Sequence, residues 1–215
     1  MNGIYSDRID PSKRYRKIIA TGLGRSGTSS IGSLLHHVGY YLGEPVKDYE
    51  RRTYESSELK HLLLDDEIDR CAAALNQLSS QHQRYAWKEP KVISSKGMAL
   101  MPKLDDDWLV IVTFRDPVAS SQRRSVSDDL EFMDALKLVI EAQSRLLRFC
   151  VKCEKPILFV SYEYFITKTK EAIAELMSFI EHDEAKVKNI DDLVQSLLAD
   201  REGYRAQAKS KKRSQ

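Results

Sequence analysis

Apolar positions along the chain follow two periods. The run Ile18 to Thr21 is short and apolar, and it enters a stretch containing Gly22, Gly24 and Gly27. Beyond that stretch Ile31, Leu34, Leu35 and Val38 recur three and four apart. This predicts a strand, a glycine loop and a helix. Gly39 to Glu44 is a short extended piece ending in a polar turn, and Lys47 to Thr53 is charged and aperiodic, as expected of an exposed loop. Ser56 or Ser57 is placed to cap a helix through about Gln81, with Leu59, Leu62, Leu63, Ile68, Ala72 and Leu75 on its inner side. Tyr85-Ala86-Trp87 predicts a short strand, and Ser94 to Met101 another helix. Trp108 to Phe114 is continuously apolar, the mark of a strand covered on both faces. Leu130 to Cys150 predicts a long amphipathic helix, Pro156 to Val160 a fourth buried strand, and 169–181 and 188–199 two closing helices.

Strands alternating with helices predict an α/β fold, a central parallel sheet with helices on both faces. Residues 17–200 form a single domain in this reading. A loose arm at 1–16 precedes it, and a basic, disordered tail at 201–215 follows, carrying Lys209, Lys211, Lys212 and Arg213. A chain of 215 residues suffices for one domain with a sizeable core.

Composition narrows the partners only a little. Lys and Arg number 34 against 32 Asp and Glu, so charge singles out no partner, and none of nucleic acid is expected. The hydrophobic share of 42% is slightly low, partly because of the charged tail. No apolar run approaches the roughly 18 residues of a membrane span. The N-terminal segment is polar and lacks a signal-peptide core, which predicts a cytoplasmic protein of a bacterium or a virus-infected cell. Three cysteines make no disulfide framework, and the lone C-x-x-C at Cys150 and Cys153 has no second pair to complete a zinc site. No metal is expected.

The glycine loop carries the first chemical signal. Glycines allow a tight turn with backbone N–H groups directed inward, and the following helix adds the positive end of its dipole, so the loop suits a phosphate-like anion. Two well-known loops compete for it. Gly22, Gly24 and Gly27 satisfy G-x-G-x-x-G, with Glu44 about 20 residues on, where a dinucleotide's ribose-binding acid would lie. Gly22 and Gly27 also fit G-x-x-x-x-G-K-[ST], but Thr28 stands where that loop needs its Lys. The basic residue comes before the serine instead, in Arg25-Ser26-Gly27-Thr28-Ser29.

Ligands in parallel α/β sheets bind at the carboxyl ends of the strands. Each predicted strand ends in polar or charged groups: Arg25, then Lys88 and Glu89, then Arg115, then Tyr162 and Glu163. Basic groups facing a glycine loop suit a ligand with several phosphate or sulfate groups.

These motifs, in this order, resemble the sulfotransferases that use 3′-phosphoadenosine-5′-phosphosulfate (PAPS), over about Lys17 to Phe179. The similarity is greatest to the bacterial branch that modifies glycans. Arg25 to Ser29 resembles the family's 5′-phosphosulfate loop, and Leu42-Gly43-Glu44 its Leu-Gly-Glu turn. Tyr54-Glu55 and Glu58 match an acidic segment before the next helix. Lys88-Glu89-Pro90, Phe114-Arg115-Asp116-Pro117 and Tyr162-Glu163 match the remaining motifs. The resemblance implies a P-loop-type three-layer α/β/α fold. It implies that Gly24, Ser26, Gly27, Thr28 and Ser29 cradle the 5′-phosphosulfate and that Arg25 meets its bridging oxygen. It further implies that Arg115 binds the 3′-phosphate, where a planar bidentate donor suits the group, and that Tyr162 contacts the adenosine part.

The sequence departs from the family at two places. A serine eight residues beyond the Arg of Arg-Asp-Pro often helps hold the 3′-phosphate, but that position is Arg123. Ser120, Ser121, Ser125 or Arg123 itself is left to fill the role. The basic glycine-rich loop that closes over the cofactor has only a faint echo in Arg201-Glu202-Gly203-Tyr204-Arg205.

Sulfuryl transfer needs a base for the acceptor hydroxyl and positive charge for the leaving group. Arg25 and Lys88 are expected to supply the charge without a metal. Glu55 is the first choice for the base, then Glu44, then Glu89, whose neighbour Lys88 suggests a structural ion pair. His37 is expected to pack on the loop's helix. The acceptor is expected to be a carbohydrate or glycolipid, held by loops at Pro45 to Thr53 and Ser121 to Asp129, where Lys47, Arg51, Arg52, Arg123 and Arg124 suit an acidic sugar. A nicotinamide-dependent oxidoreductase would leave Lys88-Glu89-Pro90 and Arg115-Asp116-Pro117 without work. A P-loop kinase or hydrolase lacks its Lys, and Asp116 is the nearest residue to a magnesium-holding Asp. A non-catalytic PAPS- or glycan-binding module would need the loop and Arg115 but no base.

Overall fold

The apolar runs pair as one five-stranded sheet: β1 (Ile4–Asp7), β2 (Lys17–Gly22), β3 (Tyr85–Lys88), β4 (Trp108–Phe114) and β5 (Ile157–Ser161), in the order β1-β5-β4-β2-β3. The computed structural model describes residues 3–24, 26–43, 54–180, 190–195 and 197. The helices between and after the strands are α1 (Thr28–His37), α2 (Ser57–Leu64), α3 (Ile68–Gln81), α4 (Ser95–Leu100), α5 (Pro117–Asp128), α6 (Phe132–Lys152), α7 (Tyr162–Thr167) and α8 (Thr169–Ile180).

Alternation along each strand divides the core into two layers. Ile18, Ala20, Leu109, Ile111, Leu158 and Val160 face α1 and α8, meeting Ile31, Leu34, Leu35, Ile173 and Leu176. Ile19, Trp87, Val110, Val112 and Ile157 face the other way, onto Leu59, Leu63, Leu75, Leu100, Leu146 and Phe149 of α2, α3, α4 and α6. The result is the expected three-layer α/β/α architecture. β2 pairs in parallel with β3 on one side and with β4 on the other. The chain leaves β2 outward to β3 and then crosses back to β4, so the carboxyl end of β2 is a topological switch point, where such sheets open a crevice.

Several elements differ from the sequence reading. Residues 4–7, expected within a loose arm, form β1, which pairs antiparallel with β5 through Ile4↔Val160. Tyr15, also in that arm, is buried, and its carbonyl accepts from the Tyr40 hydroxyl at 2.6 Å. A four-residue strand whose nearest paired residue, Ile157 opposite Asp7, is so distant in sequence leaves no local signal. The single helix expected from Ser56 to Gln81 is two helices. α2 starts at the expected cap, where Ser56 Oγ accepts from Leu59 N at 3.4 Å. It stops at Asp65, and Asp66 takes a left-handed φ of 66° that turns the chain before α3. The acceptor loop expected at Ser121 to Asp129 is instead mostly α5. Asp116 Oδ1 accepts from Ala119 N at 2.8 Å and Pro117 occupies the first turn, a strong helix start. The serine-rich, polar composition behind it hid the period.

The turn at Glu44, the loop Pro45 to Thr53, Arg25 and the tail 201–215 lie outside the described residues; of the closing helix expected at 188–199, residues 190–195 and 197 are described and are helical.

Candidate active site

The glycine loop crosses the end of the sheet at the switch point. Gly22 faces Thr113 in the β2–β4 register, so close that a Cβ would collide with the Thr113 hydroxyl. Thr113 Oγ1 donates to the Thr21 carbonyl at 3.3 Å, which leaves it to accept from Ser26 Oγ at 2.8 Å. Ser26 N also donates inward, to the Leu23 carbonyl at 3.0 Å. Ser26 therefore fastens the loop to β4, and Thr28 is buried beside it. Gly24 and Ser29 are exposed and form the open side of the loop. Gly27 begins α1 with a left-handed φ of 95° and offers no side-chain cap, and no acidic residue occupies the first turn. Uncapped first-turn N–H groups at the positive end of a helix are an anion-binding arrangement.

Tyr162 joins this loop to Arg115. Its ring lies against Gly27 so closely that any side chain there would run into it. The Arg115 guanidinium carbon stands 4.9 Å from the centroid of the same ring, a cation–π contact. Tyr162 is placed by α7, which begins directly at the end of β5 because Ser161 Oγ accepts from Tyr164 N at 3.3 Å. Arg115 follows β4, and its carbonyl accepts from Gln143 Nε2 of α6 at 3.2 Å. Glu163 Oε1 accepts from Asp116 N at 3.1 Å and stands 4.0 Å from Arg115 Nε, an ion pair across the ends of β4 and α7 without a hydrogen bond at that nitrogen.

The third part is acidic and basic at once. Lys88, only 3% exposed and opposite Ala20 in the β2–β3 register, donates to Glu55 Oε1. Lys60 of α2 reaches Glu55 Oε2 at 3.2 Å. Burial pushes the Glu55 carboxyl upward, but the charge and hydrogen bond of Lys88, aided by Lys60, outweigh it and hold the group below its ordinary range. Glu55 owes its position to Tyr54, which has a left-handed φ of 56° and lays its ring on Gly32 of α1.

Glu89, next to Lys88, plays a different part. It is fully buried, its Oε1 accepts from Lys91 N at 2.8 Å, and its carbonyl accepts from Thr21 Oγ1 at 2.9 Å. Burial pushes its carboxyl above the ordinary value, and the Glu55 charge adds to that. The ion pair expected between Lys88 and Glu89 is thus replaced by Lys88–Glu55, because adjacent residues on a strand point to opposite sides.

The structure brings together Gly24, Ser26, Gly27, Thr28 and Ser29 in the loop, Arg115 and Tyr162 on one side, and Glu55 and Lys88 on the other. Ser121 is fully buried in α5, where its hydroxyl donates to the Pro117 carbonyl at 2.6 Å. Arg123 is half-buried two residues further along α5. Arg25 and Glu44 lie outside the described residues. Sequence reasoning missed Thr113 and Gln143, and it named Tyr54 only as the neighbour of Glu55 in an acidic motif. A threonine near the end of an otherwise apolar strand was the one available hint. No group of three or more His, Cys, Asp and Glu comes together as a metal site among the described residues. No described helix is long and apolar enough to cross a membrane.

No family model and no curated protein matches the chain. Solved structures do match. The sulfotransferase domain of the olefin synthase from Synechococcus PCC 7002 superposes with a TM-score of 0.50 at 16% identity, covering 76% of this chain and 72% of that one. Sulfotransferase STF1 from Mycobacterium tuberculosis H37Rv also superposes with a TM-score of 0.50, at 14% identity, covering 86% of this chain and 71% of that one. The chain has the sulfotransferase fold, a P-loop-type α/β architecture.

Proposed function

We propose that the protein is a PAPS-dependent sulfotransferase that moves the sulfuryl group to a hydroxyl of a carbohydrate or glycolipid. The observation that carries this is the Gly27–Tyr162–Arg115 stack. It ties an uncapped helix N-terminus, fit for a 5′-phosphosulfate, to a guanidinium fit for a second phosphate, with an aromatic ring between them. A dinucleotide or a nucleoside triphosphate has no use for the guanidinium at that place. The sulfotransferase fold supports the same reading.

The residues divide the work in the following way. The loop from Gly24 to Ser29 binds the 5′ group through backbone N–H groups, with the Ser29 hydroxyl on its open side and Ser26 holding the loop to β4. Arg115 binds the 3′-phosphate, and Arg123 of α5, rather than the fully buried Ser121, assists it. Tyr162 fixes the Arg115 plane and faces the adenosine part. Glu55 removes the proton from the acceptor hydroxyl while that oxygen bonds to sulfur. The bond from sulfur to the phosphate oxygen breaks, and adenosine 3′,5′-bisphosphate leaves carrying the electron pair. Lys88, with Arg25, offsets the negative charge that develops on the departing oxygen.

Lys88 links the two halves of this step. In the free protein it keeps Glu55 ionised but weakly basic. An anion drawing Lys88 toward itself loosens that hold and raises the basicity of Glu55 where the proton must be taken. Glu44 remains an alternative base, and Glu89, capped and buried, a weaker one.

For the acceptor, support comes from the motif order shared with glycan-modifying sulfotransferases and from basic residues: Arg123 and Arg124 on α5, and, in sequence, Lys47, Arg51 and Arg52 between Glu44 and Tyr54. The test is incubation with sulfur-labelled PAPS and a panel of lipid-linked and soluble glycans. The expected result is acceptor-dependent release of the bisphosphate with label on a hydroxyl. Tight bisphosphate binding without transfer to any acceptor would instead mark a non-catalytic PAPS-binding module.

A further inference from the structure

The long helix α6 has two apolar faces, and the fold uses one. Ala135, Val139, Leu146 and Phe149 are buried, the last two in the core layer that covers the sheet. On the outer side Met133, Ile140 and Leu147 recur every seven residues and Val151 follows one turn later, with exposures of 69%, 46%, 60% and 75%. Seven residues are nearly two helical turns, so these side chains form a single stripe.

One flank of the stripe is charged, and the charges are sorted along the axis. Asp134 and Glu141 lie toward the N-terminal half, and Arg145, Arg148 and Lys152 toward the C-terminal half, with Lys137 the exception. All six are exposed, and none has an ion pair or side-chain hydrogen bond to another described residue. Even Glu141 and Arg145, four apart on the helix and able to pair, do not.

We propose that α6 is the interface of a homodimer, packed antiparallel against α6 of a second copy about a two-fold axis near Ala142. A two-fold interface uses one surface twice, so it must be complementary to itself. An antiparallel pair meets this condition. It places Met133 against Val151 of the partner subunit and lays the acidic half of each flank on the basic half of the other. Glu141 comes beside Arg145 of the partner subunit, and Asp134 near Arg148 of the partner subunit. A parallel two-fold pair would carry the two charged flanks to opposite sides of the seam and leave them unpaired. An anionic membrane would suit a flank of lysines and arginines alone, and Asp134 and Glu141 argue against it.

Analytical ultracentrifugation of the full chain over a range of concentrations tests this. The expected mass is twice that of the chain. Leu147→Glu weakens association by about tenfold or more while leaving the circular dichroism of the fold unchanged. Glu141→Arg weakens it too, and adding Arg145→Glu restores it, which a merely misfolded variant would not show. A wild type that stays monomeric at every concentration overturns the proposal; co-sedimentation of that monomer with anionic vesicles would assign the face to a membrane. A dimer indifferent to all three variants overturns it equally.

Discussion

Lys88 and Glu55 lie 33 positions apart in sequence, yet they form one ion pair beside the glycine loop, with the lysine almost fully buried at the end of β3. A buried ammonium held by one carboxylate costs less than one left alone, but it still forgoes the hydration it had in water. The arrangement is more easily explained by chemistry than by stability.

The first prediction follows from that pair. Glu55→Gln keeps the shape and removes the base, so turnover should fall by about 100-fold or more, with bisphosphate affinity nearly unchanged. Glu89→Gln should leave turnover close to wild type, since Glu89 caps a turn and faces inward. Steady-state kinetics on the two variants, with Glu44→Gln beside them, decides the order. Normal turnover in Glu55→Gln would transfer the role to whichever other carboxylate proves indispensable.

The second prediction concerns pH. The folded-state pKa of Glu55 is lowered from 4.5, so the carboxylate persists below that value. The stability it contributes is complete above pH 4.5 and is lost as pH falls through the lowered pKa. The acid limb of kcat/KM should likewise fall below pH 4.5 in the wild type. Lys88→Met removes the group that lowers it and should move the limb upward, whatever it does to the maximal rate. An acid limb that does not respond to Lys88 would separate it from Glu55.

Gly27 provides the third. A substitution there meets both a left-handed φ of 95° and the Tyr162 ring. Gly27→Ala should destabilise the fold by about 1–2 kcal/mol, measured by urea unfolding. By displacing Tyr162 it should also weaken bisphosphate binding. Unchanged affinity would mean that the ring is not needed to hold Arg115.

Arg115 provides the fourth. Arg115→Ala should weaken bisphosphate binding by roughly 2 kcal/mol or more, the loss expected for a charge-assisted contact. Arg115→Lys should recover only part, because a point charge neither stacks on Tyr162 nor binds in bidentate fashion. Arg25→Ala, by contrast, should chiefly lower kcat. Bisphosphate binding that survives Arg115→Ala intact would place the 3′-phosphate elsewhere.

The sequence made some of this legible and not the rest. Trp108 to Phe114 showed its strand because burial on both faces demands an unbroken apolar run, and Ser56 showed its helix start because a cap needs a hydroxyl. Arg115 and Tyr162 could be picked out at strand ends, but their contact across two strands could not. Lys88 looked like a partner for its neighbour Glu89; only the fold turns it toward Glu55. Tyr54 was named only beside Glu55, and its contact with Gly32 gave no sign, since a left-handed tyrosine is imposed by tertiary packing. β1 was hidden because its four residues acquire meaning only beside β5. α5 was hidden because serines mask helical periodicity, although Asp116 and Pro117 marked its start.

The central claim, that this crevice is built for a nucleotide with 5′ and 3′ anions, is tested most directly by calorimetric titration with adenosine 3′,5′-bisphosphate, ATP and NAD. The bisphosphate should bind far more tightly than the other two, and Arg115→Ala should remove most of that preference. NAD binding as tightly as the bisphosphate, or more so, would contradict the account and favour the dinucleotide reading of Gly22, Gly24 and Gly27.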